Sequence, residues 1–163
     1  MGNRLAKKRV LVSQAGDFMG PITTEFFRSE GAEMITSTRD LTSAQECQDL
    51  VDSAGDIDVL VANLAGPTNT GIQVTELSNE QWGSGFRDMG EPVQWLTQAV
   101  LPQMIERKKG KIVVYGSAAG LKGMKTVAAY SAARAAQIGY VRAVGVEVAP
   151  HNIQINLIAQ NYV

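Results

Sequence analysis

Three side chains in the second half of the sequence carry the chemistry this chain could perform. Ser117 closes the run KIVVYGS, Tyr130 follows after twelve intervening residues, and Arg134 follows after three more. Residues four apart on a helix share a face, so Tyr130 and Arg134 are expected to lie together. A strand that ends in an open α/β sheet delivers its last residues to the edge where ligands bind. A serine hydroxyl there can orient a substrate oxygen. A phenol beside a permanently charged guanidinium is favoured as its phenolate, which suits it to general base work. Each residue also has a plain structural reading. Tyr130 could be a core aromatic on a helix of small residues (Ala132, Ala133, Ala135 and Ala136), and Arg134 a solvated or interface charge. Their joint occurrence at fixed spacing after a strand-end serine favours chemistry.

Alternating strand-like and helix-like segments must position these groups. Residues 8–13 (KRVLVS), 33–37 (EMITS), 58–65 (DVLVANLA), 111–116 (KIVVYG) and 153–159 (IQINLIA) read as strands, nearly all apolar as buried parallel strands are. A helix is predicted from about Pro21 to a stop at Gly31, with Ile22, Phe26 and Phe27 on its apolar face. Ser43 and Glu46 predict a capping box for a helix bearing Cys47, Leu50 and Val51. A Gly-, Pro- and Thr-rich loop over 66–74 leads to a short capped helix near Asn79. Longer helices are predicted over Glu91 to Arg107 and over 127–148. The alternation predicts an α/β fold, a Rossmann-like doubly wound parallel sheet forming one domain over 1–163. The chain stops at Val163 just past a strand end, where ligand loops begin, so a C-terminal part is expected to be missing.

The first strand-to-helix turn is where such a fold cradles a dinucleotide phosphate on glycines. Here it reads Ser13-Gln14-Ala15-Gly16-Asp17-Phe18-Met19-Gly20. Phe18 stands where a pyrophosphate needs bare backbone, and its ring is expected to fill the site. Asp17 adds negative charge. The second strand ends Ser37-Thr38-Arg39 without an acidic residue for a ribose, and only one helix fits before the strand at 58.

Composition excludes several function classes. With 45% hydrophobic and 19% charged residues the chain is globular in balance, and a net charge of −1 offers no basic field for nucleic acid or an anionic membrane. No run is long enough to span a bilayer and no metal-ligand spacing occurs. The single cysteine, Cys47, cannot form an internal disulfide, which fits a cytoplasmic location. The single histidine, His151, lies between Pro150 and Asn152 and reads as a solvated turn residue.

These motifs resemble those of the short-chain dehydrogenase/reductase superfamily. The turn is similar to its Thr-Gly-x-x-x-Gly-x-Gly loop, with Gln14 and Phe18 in two glycine places and Gly20 retained. Ser117, Tyr130 and Arg134 resemble its Ser…Tyr-x-x-x-Lys set with Arg for Lys, DVLVANLAG resembles its Asn-Asn-Ala-Gly segment, and Met89 stands in the place of a relay asparagine. Ser–Tyr–Arg together with Ser13-x4-Phe18-x-Gly20 is most similar to the halohydrin dehalogenases, in particular their shorter-chain, B-type subgroup. That resemblance implies dehalogenation of vicinal haloalcohols to epoxides, reversible with small anions, and needing no cofactor. Ser117 would hold the substrate hydroxyl and Tyr130, helped by Arg134, would remove its proton. Phe18 with Gln160, Asn161, Tyr162 and Val163 would bind the halide. It also implies a homo-oligomer, dimer or tetramer, built on the helices at 91–107 and 127–148. Two other readings stay open on the residues. One is an NAD(P)-dependent oxidoreductase with a degenerate glycine loop, Arg39 receiving a 2′-phosphate. The other is an inactive scaffold or binding fragment.

Overall fold

Alternate residues of each short apolar run point to opposite faces of a sheet, and both faces of its central strands are covered by helix. The computed structural model describes residues 3–66 and 69–161. Five strands, β1 (Arg9–Val12), β2 (Glu33–Thr36), β3 (Val59–Ala62), β4 (Gly110–Ser117) and β5 (Ile153–Gln160), pair in the order β2-β1-β3-β4-β5, all parallel. The helices are α1 (Gly20–Ser29), α2 (Ala44–Ala54), α3 (Asn79–Gly85), α4 (Glu91–Glu106) and α5 (Ala128–Val148). Leu11, Leu60, Ile112 and Ile155 pack with buried residues of α2, α4 and α5. Their strand neighbours Val10, Val12, Val59, Val61 and Tyr115 form a second cluster against Met19 and Phe27 at α1. The chain runs from β1 outward to β2, then back across to β3, so the strand order reverses at β1 and opens a crevice at the strands' C-terminal ends. The α/β doubly wound expectation holds, and the strand and helix assignments hold with ends shifted by a few residues.

Two local expectations change, and one element is new. Ile22 and Phe26 do not form the buried face of α1: they are 56% and 50% exposed. The helix instead presents Gly20 and Thr23, and the Thr23 hydroxyl hydrogen-bonds the Tyr115 hydroxyl at 2.7 Å. Small and polar residues let the helix backbone approach the sheet, which a Phe26 face could not. Ser43 does cap α2, accepting from the Glu46 amide. The Glu46 carboxylate, however, accepts from the Thr42 amide and hydroxyl, both at 2.7 Å, rather than closing the box on Ser43. The full capping box is on α3, between Ser78 and Gln81. A π-helical turn, Phe86–Gly90, joins α3 to α4 and was not legible in the periodicity. Pro92, which has no N–H to give, follows it, and the Glu91 amide reaches back to the Phe86 carbonyl.

The strands' N-terminal ends are tied by charge. Asp58 accepts from the Arg9 amide at 3.0 Å and from Lys109 at 2.7 Å, linking β1, β3 and the entry to β4. Burial pushes its carboxyl up, but Lys109 and the Arg9 amide outweigh that and hold it below the usual carboxylate range. Glu30, bonded by Arg4, and Glu46, bonded by Thr42, are lowered too. A carboxylate lowered on folding stabilises the fold above its unfolded value, about pH 4, and loses that contribution as pH falls through the lower folded value. Urea midpoints are therefore expected to fall steeply below about pH 4, and Asp58→Asn to flatten that slope. Parallel slopes for the two proteins would remove Asp58 from the account.

Candidate active site

The turn after β1 is held by β3. Asn63, fully buried, accepts from the Met19 amide at 3.3 Å and donates to the Gln14 and Asp17 carbonyls at 2.8 and 3.0 Å. Ser13 donates to the Asn63 carbonyl and accepts from its amide, at 3.0 and 3.1 Å. Gln14 and Phe18 sit at φ +44° and +50°. That left-handed backbone normally goes to glycine, so the turn keeps a glycine path although two side chains now stand on it. Gly20 is needed for another reason. A Cβ there would lie 2.6 Å from the Ala15 backbone, so α1 can rest on the turn only without one.

Ser117 ends β4 and accepts from the Ala119 amide, capping the short turn Ala118–Gly120. That turn packs on α5. A Cβ on Gly120 would stand 2.7 Å from the Arg134 carbonyl carbon, so bare backbone sets the distance between the serine's turn and the helix carrying Tyr130. Phe18, Ser117, Tyr130, Gln160 and Asn161 line one cleft of about 330 Å³, together with Thr70, Met124 and Val127, which the motifs did not single out. Phe18 is 47% exposed and its ring meets that of Tyr115 edge-on, with centroids 6.3 Å apart. Arg134 lies behind the cleft, 3% exposed, with its Cζ 5.1 Å from the centre of the Tyr130 ring. Its Nη1 donates to the Tyr115 carbonyl at 3.0 Å. The structure thus brings together five of the expected site residues, with Arg134 beneath them; Tyr162 and Val163 lie outside the described residues.

Other candidates for chemistry fall away. Cys47 is fully buried, and burial, with Glu46 adding, pushes its thiol up to about 12, so it is an inert core residue. Among the described residues no group of three or more His, Cys, Asp or Glu could hold a metal ion, and no helix is long and apolar enough to cross a membrane.

The profile of the short chain dehydrogenase family matches residues 4–163. The chain belongs to the short-chain dehydrogenase family. It is 37% identical over 115 residues to an acetoacetyl-CoA reductase of Acinetobacter sp., covering 71% of this chain and 46% of that protein. Among solved structures, NAD+-bound xylitol dehydrogenase superposes with a TM-score of 0.91 at 26% identity, covering 98% of this chain and 72% of the other. A dehalogenation enzyme superposes with the same TM-score, 0.91, at 28% identity, covering 98% and 74%. The chain spans about half the length of the curated relatives it matches.

These relatives correct the expectation of a cofactor-independent haloalcohol dehalogenase. The curated short-chain relatives are reductases by name. The likeness to a dehalogenation enzyme is no greater in fold than that to a dehydrogenase with bound NAD+. The Phe18 ring lines the cleft but is half exposed there, held by one edge contact with Tyr115. Such a contact is worth about 0.5–1.5 kcal/mol, little enough for the ring to swing aside. The residues present therefore fit the dinucleotide that the family implies. The turn's backbone keeps its glycine conformation, the N-terminus of α1 faces the crevice, and Gly20 keeps the close packing.

Proposed function

We propose that the chain carries the catalytic centre of a nicotinamide-dependent oxidoreductase that interconverts a ketone and a secondary alcohol. One observation supports this above others: the Ser117 and Tyr130 side chains line one cleft at the sheet's C-terminal edge, with the Arg134 guanidinium buried under the tyrosine ring. The family and the names of its keto-reducing members agree. The backbone of the 13–20 turn would hold the pyrophosphate, and Arg39, exposed just beyond β2, would receive a 2′-phosphate. When bound, the nicotinamide supplies or accepts the hydride.

The chain's own residues handle the oxygen. Ser117 donates a hydrogen bond to the substrate carbonyl oxygen, fixing its direction. Tyr130 donates the second hydrogen bond and, as the carbon is reduced, gives its proton to that oxygen; in oxidation the proton returns. Arg134 faces the ring and puts a fixed positive charge close to it, so the phenolate oxygen left after transfer forms near a cation. Met124 and Val127 supply apolar wall, which keeps water from the reacting oxygen.

Titration with NADH and NADPH followed by nucleotide fluorescence, then ketone-dependent oxidation of the bound form, tests the reading. Phe18→Gly is expected to tighten nucleotide binding about tenfold, the equivalent of ~1.4 kcal/mol, because it removes the ring that must swing aside. Absence of binding in both the parent and the Phe18→Gly protein would defeat the proposal.

A further inference from the structure

Gln137 lies one turn beyond Arg134 on α5, is 1% exposed, and has no part in the cleft's lining. A buried side-chain amide is costly unless both its ends are satisfied. Here both are, by partners of opposite kind. Its Nε2 donates to the Met89 carbonyl at 2.7 Å, and its Oε1 accepts from Nη1 of Arg134 at 3.1 Å. A carbonyl can only accept and a guanidinium can only donate, so the amide has one admissible orientation. The Met89 carbonyl belongs to the π-helical turn Phe86–Gly90 rather than to a regular α ladder. Gln137 therefore bridges a helical irregularity on one side and the cation of the site on the other.

Arg134 needs such a bridge. No ion pair among the described residues includes it, and its Nε is buried without a hydrogen-bond partner. Two acceptors hold its Nη1, the Tyr115 carbonyl and Gln137. The first belongs to β4 and sets height above the sheet. The second is the side chain that anchors the guanidinium sideways, against the π turn. A long side chain held by a single neutral acceptor has rotamers to explore, and its charge draws it toward water.

We propose that Gln137 is a positioning residue, locking the Arg134 guanidinium beneath the Tyr130 ring by tying it to the Met89 carbonyl. It rests on the oxidoreductase reading for its catalytic consequence, but the positioning itself is a property of the unliganded chain. A displaced cation no longer stabilises charge on the tyrosine oxygen, whereas substrate contacts with Ser117 and the cleft walls are untouched. The effect therefore falls on kcat and spares KM.

The test uses Gln137→Met, which keeps size and burial but neither hydrogen bond, and two readouts. In the unliganded chain, the arginine Nε–H NMR signal that disappears in Arg134→Lys reports how firmly the guanidinium is held. In Gln137→Met that signal is expected to broaden or to exchange with water more than about tenfold faster. In the turnover assay, kcat is expected to fall about ten- to a hundredfold, with KM within about twofold. Should Gln137→Met fail to fold, Gln137→Asn, one methylene too short to reach both partners, carries the same readouts. A folded variant whose arginine signal and kcat both match the parent's overturns the proposal, since a purely structural glutamine would lower only thermal stability. If the parent itself turns nothing over, the oxidoreductase reading fails while the NMR signal still decides for or against Gln137.

Discussion

Tyr130→Phe is expected to reduce ketone-dependent kcat by about a hundred- to ten-thousandfold, the usual span for loss of a general acid–base group. The ring, its place over Arg134 and the apolar contacts remain, so KM and nucleotide affinity should change little. None of the hydrogen bonds among the described residues uses the Tyr130 hydroxyl, and the residue is only half-buried, so its loss strands no buried partner. Melting temperatures of the two proteins should therefore agree closely. Steady-state turnover measured beside circular dichroism melts checks both halves. Equal turnover in parent and variant would show that the proton travels by another group, and the assignment of Tyr130 would fall.

Gly120→Val is expected to cost both stability and activity, for one steric reason. The added Cβ would stand 2.7 to 2.9 Å from the Arg134 and Ala135 backbone, and a helix backbone cannot rotate away as a side chain can. The Ser117 turn and α5 must separate. Overpacking of this kind costs about 1–3 kcal/mol. The larger consequence is geometric, because Ser117 reaches the cleft from one of the separating parts and Tyr130 from the other. A displacement of about 1 Å between groups that hold one oxygen can cost on the order of a hundredfold in rate. Chemical denaturation and kcat/KM report the two effects separately. A variant as stable and as active as the parent would mean that the two backbones do not touch as described.

Nucleotide affinity, by contrast, should be nearly indifferent to both substitutions, since the backbone of the 13–20 turn is hydrogen-bonded by Asn63, just past β3, and not by the Ser117 turn or α5. The site is built from two halves that share Tyr115, whose ring meets Phe18 and whose carbonyl holds Arg134. Gln14, Phe18 and Asp17 answer to the β1–β3 end of the crevice. Ser117, Tyr130, Arg134 and Gln137 answer to the packing of β4 against α5 and the π turn.

By itself the sequence determined the fold class and which hydroxyls line one cleft. Runs such as VLV at β1 and VLVA at β3 leave no polar face, so they must lie in a parallel sheet covered on both sides. A strand-end serine with Tyr130 and Arg134 one helical turn apart was readable because strand and helix periods are local properties. Three matters were decided only by tertiary packing. The side of α1 that is buried depends on how closely Gly20 and Thr23 allow it to approach Tyr115, and of the three apolar residues expected to be buried only Phe27 packs on the core. The position of the Phe18 ring depends on a positive φ and one edge contact, which no residue pattern encodes. Gln137 was invisible because its partner is the carbonyl of Met89, forty-eight residues away in the chain, offered by a π turn that no periodicity announces. Local spacing fixes what a side chain can do, whereas non-local backbone approach fixes what it is held against.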